Sequence, residues 1–150
     1  MGFSVTVDDG DVRASWRLAV AEIGAGTAQA VRHAVRVGER VARAEAPRKT
    51  GALEASTVGE LTSFTGMSAV GVVKADAPHA ASIHDGSKPH EITGNPLAFE
   101  SGGKKVFTRR VFHPGTRANP FIDRAAPATE DALTSEMTTI VNAATAKFSG

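Results

Sequence analysis

The chain has 150 residues, the size of one domain, and 17 basic against 16 acidic side chains give a net charge of +1. It contains no cysteine, which excludes a disulfide framework, a thiolate zinc site and a cysteine nucleophile. No apolar run approaches the ~18 residues that span a bilayer, the acidic start Met1 to Asp11 lacks a signal-peptide layout, and the near-neutral balance gives no global nucleic-acid signature. The expectation is a soluble protein of a reducing compartment.

The chain-order reading begins with alternation at Phe3, Val5 and Val7, which predicts a short N-terminal strand or arm within residues 1–11. Asp8, Asp9 and Gly10 mark a turn, and Asp8, Asp9 or Asp11 is placed to cap a helix. From Val12 to Ala46, Trp16, Val20, Ile23, Thr27, Val31, Ala34, Gly38 and Val41 recur every three or four residues. This predicts one long amphipathic helix, with a bend expected at Gly24 and Gly26 and a stop at Pro47. Residues Thr50 to Ala75 are β in character, with Thr65-Gly66 as a turn. Ala77 to Gly86 reads as a short helix. Ile92, Leu97 to Phe99 and Val106 to Phe112 read as short strands, with turns at Gly94-Asn95-Pro96 and Ser101-Gly102-Gly103. Residues 94–105 are expected to form an extended, charged loop. Asn119-Pro120 predicts the start of a C-terminal helix, Asn as N-cap and Pro as first helical residue, with Pro127 either kinking that helix or restarting it. Glu130, Asp131 and Lys147 suit its dipole. The expected class is α+β in one domain, 1–150: a long N-terminal helix and a C-terminal helix packed on an antiparallel sheet.

Roughly 26 of the apolar residues are alanine and roughly 36 are larger, and there is no tyrosine. Many alanines fall on the two predicted helices, including Ala19, Ala30, Ala34, Ala42, Ala125, Ala132 and Ala144. Small side chains there permit close helix packing, and the shortage of bulk suggests burial completed against other copies.

Chemistry-bearing clusters are few. His79, His84 and His90 lie close in sequence around Asp85, with His113 further on, but the five-residue step from His79 to His84 is not a metal-ligand spacing and no H-E-x-x-H occurs. Ser82 or Ser87 with His84 or His113 and Asp85 or Asp123 makes a triad on paper only, without a nucleophile elbow. Gly102-Gly103-Lys104-Lys105 lacks the phosphate-loop spacing and reads as a hairpin tip. No catalytic, metal or cofactor-binding residue is assigned. The basic residues carry more weight. Arg32, Arg36, Arg40 and Arg43 share a broad helix face, and Lys104, Lys105, Arg109, Arg110 and Arg117 crowd the late β region, while Asp123, Glu130, Asp131 and Glu136 make the last helix acidic. Three readings stay open: phosphate contacts, basic and acidic patches meeting between subunits, and solvated charge.

Three segments in order carry a resemblance. They are Lys49-Thr50-Gly51-Ala52-Leu53 after the long helix, His79 through Ser87 after the first hairpin, and His113-Pro114-Gly115-Thr116-Arg117-Ala118-Asn119-Pro120-Phe121-Ile122 before the last helix. Together, over about Val12 to Ala146, they resemble the minor tail component, or tail-completion, family of long-tailed phages, neck proteins of the head–tail junction. The middle segment departs from the commoner pattern at His79, His84 and Ser87. The resemblance implies a non-enzymatic virion protein without a cofactor, assembled in the bacterial cytoplasm. It implies a ring, six-fold by analogy, bound to connector and to tail terminator or tail-tube proteins, with DNA passing through without specific binding and no membrane partner. A tail terminator or another connector ring is the nearest alternative, and a nucleic-acid-binding module using the arginine face is the other. Gly51, Gly86, Pro114, Gly115, Asn119 and Pro120 read as architectural, through turns and helix ends.

Overall fold

A computed structural model of the chain describes Ser4, Asp8 and residues 10–147. The expected strand at Phe3, Val5 and Val7 lies outside the described residues. The order is α1 (Gly10–Glu45), α2 (Ala52–Ser56), β1 (Thr57–Thr65), β2 (Ser68–Ala75), α3 (Ala80–His84), β3 (His90–Ser101), β4 (Lys104–His113), a single 3-10 turn (Asp123–Ala125) and α4 (Ala126–Ala146). The class is α+β, as the periodicities predict. The β structure is two separate antiparallel hairpins, β1–β2 and β3–β4. Among the described residues no helix is long and apolar enough to cross a membrane.

Helix α1 runs unbroken for 36 residues, about 54 Å at 1.5 Å per residue. Gly24 and Gly26, where a bend is expected, are points of close approach. A Cβ on Gly24 would lie 3.0 Å from the Gly66 carbonyl oxygen at the β1–β2 turn, and one on Gly26 would lie 2.8 Å from Ile140 of α4. Gly38 receives Thr129 of α4 in the same way. Small residues at these positions, with Ala28, Ala30, Ala34 and Ala42 buried between them, let α4 and the first hairpin lie directly on the helix backbone. On the hairpin side Gly59 sits against the carbonyl of Val35, and a Cβ on Gly71 would lie 2.5 Å from Val35 Cγ1. The largest buried cluster gathers at the C-terminal end of α1, where Ala42, Ala46, Leu53, Ala80 and Ala125 surround Phe121, which has no exposed surface.

Toward its other end α1 carries several exposed apolar side chains. Trp16 and Val20, expected on the inner face, are exposed along with Val12 and Leu18. The β1–β2 turn meets α1 at Gly24, α4 ends at Ala146, and Lys147 pairs with Glu22. The chain exposes 10677 Å², against roughly 7,200 Å² for a compact monomer of this mass.

Three segments differ from expectation. Ala52–Ser56, read as part of a β region, forms the short helix α2. Residues 94–105 are not a loop: they form the outer part of β3, the Gly102-Gly103 turn and the first residues of β4, with Leu97 to Ser101 paired to Thr108 through Lys104. The supposed turn at Gly94-Asn95-Pro96 is a bulge within β3, between Thr93 and Leu97, and holds a cis Asn95–Pro96 bond. Cross-strand pairing on both sides of the bulge keeps the strand continuous. At the C-terminal helix, Asn119 is not the N-cap. The chain passes through the 3-10 turn first, α4 restarts at Ala126 with Pro127 in its first turn, and Ala125 stands at the cap without a side-chain bond. Proline at the helix start is where its missing N–H costs nothing. Glu130 and Asp131 fall just beyond the first turn, which holds no acidic residue.

Candidate functional site

Of Arg32, Arg36, Arg40 and Arg43 on α1, two serve the fold. Glu39 is buried, and its Oε2 accepts the Gly59 N–H at 2.9 Å and Arg36 Nη1 at 2.8 Å. Its Oε1 lies 3.1 Å from Arg43 Nη2, and Arg43 Nε donates to the Thr57 carbonyl at 2.9 Å. The hydrogen bond from Gly59 holds the Glu39 carboxyl below its ordinary value against the opposing effect of burial, aided by the bond from Arg36 and the charges of Arg43 and Arg36. This cluster fastens β1 to α1. Arg32 and Arg40 are exposed and enter no ion pair among the described residues. Sequence reading missed Glu39, although arginines three residues before and four after it were the available signal.

The second basic group lies on the β3–β4 hairpin, which forms an arm. Its strands pack on each other and on no other helix or strand beyond marginal contact. The arm is held at its base by a bridge in which Ser87 and Thr116 exchange backbone hydrogen bonds of 2.9 and 3.0 Å. Gly86 and Gly115 flank this bridge with φ of +79° and +91°. A Cβ on Gly86 would lie 2.7 Å from the Thr116 carbonyl oxygen, and Gly115 presses on Ser87. Both glycines are therefore required sterically as well as by dihedral. Pro114 follows His113, which stacks on His90 with centroids 5.1 Å apart, and Gly115 N–H donates to His113 Nδ1.

Pairing and alternation assign the side chains of the arm. Ile92, Ala98, Lys105, Phe107, Arg109 and Val111 share one face; Leu97, Phe99, Lys104, Val106, Arg110 and Phe112 share the other. Both faces are apolar, and Phe107 and Phe112 are 67% and 69% exposed. Arg110 is paired with Glu91. Lys104, Lys105 and Arg109 have no ion-pair partner among the described residues, nor does Arg117 in the loop beyond the arm.

The histidines do not converge. His84 Nδ1 lies 2.7 Å from Asp85 Oδ1, its ring meets Phe121 edge-on, and its buried Nε2 lies 3.5 Å from Asp123 Oδ1. His90 and His113 stand at the arm's base. Among the described residues no group of three or more histidines and carboxylates is arranged to hold a metal ion, and no serine hydroxyl is hydrogen-bonded to a histidine. The Asn119 N–H donates to the carbonyls of Ile83 and His84 at 2.9 and 3.1 Å, closing the end of α3, and Pro120 leads from it into buried Phe121. The segment His113 to Ile122 thus ties arm, α3 and α4 together.

On α4, Glu130 and Asp131 are exposed and enter no ion pair among the described residues. One turn further, Leu133, Met137 and Val141, four residues apart, line an open groove with Thr134, Thr138 and Asn142. Glu136 turns toward α1, where it lies 3.1 Å from His33. Comparison with protein-family models, curated proteins and solved structures gives no match.

Proposed function

We propose that this chain is a structural, non-enzymatic assembly subunit that forms a ring in the neck of a tailed phage virion, joining head connector to tail. The observation that carries the assembly reading is the β3–β4 arm: a hairpin apolar on both faces that its own chain leaves uncovered. A lone two-stranded hairpin is marginal in water, and apolar surface of this extent marks an interaction site. The neck assignment itself rests on the order of the Lys49–Leu53, His79–Ser87 and His113–Ile122 segments.

Heterologous contacts close such a ring. Cations lining a DNA channel would retard passage, so Arg32 and Arg40 face a partner or solvent in this arrangement. The test is affinity capture with connector and tail-tube proteins of a tailed phage, followed by imaging of the particle. Stoichiometric capture and ring density at the neck are expected. A chain that captures neither protein and is missing from purified particles overturns the neck reading, and a map with Arg32 and Arg40 lining the pore overturns the orientation.

A further inference from the structure

We infer that the β3–β4 arm of one copy docks on α4 of the next copy, seating Phe107 in the Leu133–Met137–Val141 groove and setting the Lys105 side of the arm against Glu130 and Asp131. The inference rests on the assembly reading above and names the contact that closes it.

Complementarity of charge and of shape selects this occupant. Lys105, Phe107 and Arg109 alternate on one face of β4, so an exposed aromatic ring stands between two cations without ion-pair partners among the described residues. On α4, Glu130 and Asp131 lie together at one end of an apolar stripe that begins at Leu133, so one of the two cations beside Phe107 meets them when the ring enters the groove. Glu130, Thr134, Met137 and Val141 follow helical i, i+4, i+7 and i+11 spacing and lie on one flank of the helix. That flank lies beside the α1-facing row of Thr129, Glu136 and Ile140. The dimensions agree as well. Two strand residues separate Lys105 from Phe107, about 7 Å, and seven helical residues separate Glu130 from Met137, about 10 Å. An extended lysine side chain covers the difference. Burial of Phe107 and the groove removes apolar surface at the centre of the contact, with the charges at its rim, the arrangement of a stable interface.

A nucleic acid is the less suitable occupant. Arg110 is already paired to Glu91, which removes one of the arm's four cations from a phosphate contact. The rings of Phe107 and Phe112 also point to opposite faces instead of forming one stacking platform.

The absence of cysteine allows a direct test in the full chain. Phe107→Cys and Met137→Cys are made in separate chains, mixed and oxidised, with Phe107→Cys plus Thr50→Cys as control. A 107–137 cross-link as the dominant species supports the docking; a yield no greater than the control overturns it. In parallel, self-association is measured by sedimentation. Reversing the arm (Lys105→Glu with Arg109→Glu) or the helix (Glu130→Lys with Asp131→Lys) is expected to weaken it about tenfold or more, as like charges are brought together. The fourfold variant carrying both reversals is expected to restore it. No restoration overturns the pairing. Salt-sensitive binding of duplex DNA lost in Lys105→Glu with Arg109→Glu, without a 107–137 cross-link, assigns the arm to nucleic acid instead. Failure of the cross-link with continued capture of the neck partners removes this contact alone; loss of that capture removes the assembly reading.

Discussion

Replacing Glu39 by alanine tests the junction between α1 and the first hairpin. The substitution leaves the Gly59 N–H buried without an acceptor, and both arginines lose their partner. An orphaned buried donor costs about 1–3 kcal/mol. The two ion pairs contribute less, about 0.2–1 kcal/mol each, because the arginine side chains are 68% and 39% exposed. The sum is about 1.5–5 kcal/mol, with the Gly59 bond as the larger share. For a chain of this length 3 kcal/mol lowers Tm by about 6–12 °C. Urea denaturation followed by circular dichroism measures it, and Arg36→Ala separates the contributions, with an expected loss below about 1 kcal/mol. Glu39→Gln keeps an oxygen for Gly59 and should lose only about 1–2 kcal/mol. The pH dependence follows from the lowered carboxyl. The folded state favours the ionised form, so Glu39 contributes its full share above the ordinary value of 4.5 and loses it as the pH falls through the lower folded value. The gap between wild type and Glu39→Gln is therefore expected to close in acid. A Glu39→Ala chain within about 0.5 kcal/mol of wild type, or a gap that does not narrow in acid, refutes the reasoning.

Phe121→Ala removes the largest fully buried side chain and is expected to cost about 3–5 kcal/mol in the same assay. Gly59→Ala and Gly26→Ala should differ in severity. The former drives a methyl into the backbone carbonyl of Val35, whereas the latter meets only the side chain of Ile140, which can rotate. Losses of at least about 2 kcal/mol and of about 1 kcal/mol are expected for the two by thermal melting, and equal losses would contradict this contact geometry. Phe107→Ser is expected to leave the Tm of the dilute chain within about 1 °C, since the ring is 67% exposed and the arm makes at most marginal contact with the other helices and strands. It should sharply reduce capture of other copies, and a large fall in Tm would mean that the arm packs on its own chain.

The sequence by itself determined the elements and the class. The three-to-four-residue recurrence from Val12 to Val41, the Thr65-Gly66 turn, the short helix before Gly86 and the proline-led last helix all arise from local terms: side-chain periodicity, proline's fixed φ and glycine's access to positive φ. The same local terms marked Gly86 and Gly115 as architectural, and the structure supplies the reason in the bridge between Ser87 and Thr116. Only the tertiary structure decided which members of a periodic face are covered. Trp16 and Val20 repeat in phase with buried Val31 and Ala34, yet both are exposed. Only the tertiary structure divided the arginines, assigning Arg36 and Arg43 to Glu39 and leaving Arg32 and Arg40 exposed. The partner of Glu39 is a backbone N–H twenty residues away, which no side-chain pattern encodes. The same limit applied to residues 94–105. Their glycines, proline and charges read locally as a loop, and the strand exists through hydrogen bonds to β4. Register between distant segments, unlike helical period, becomes defined when the chain closes on itself.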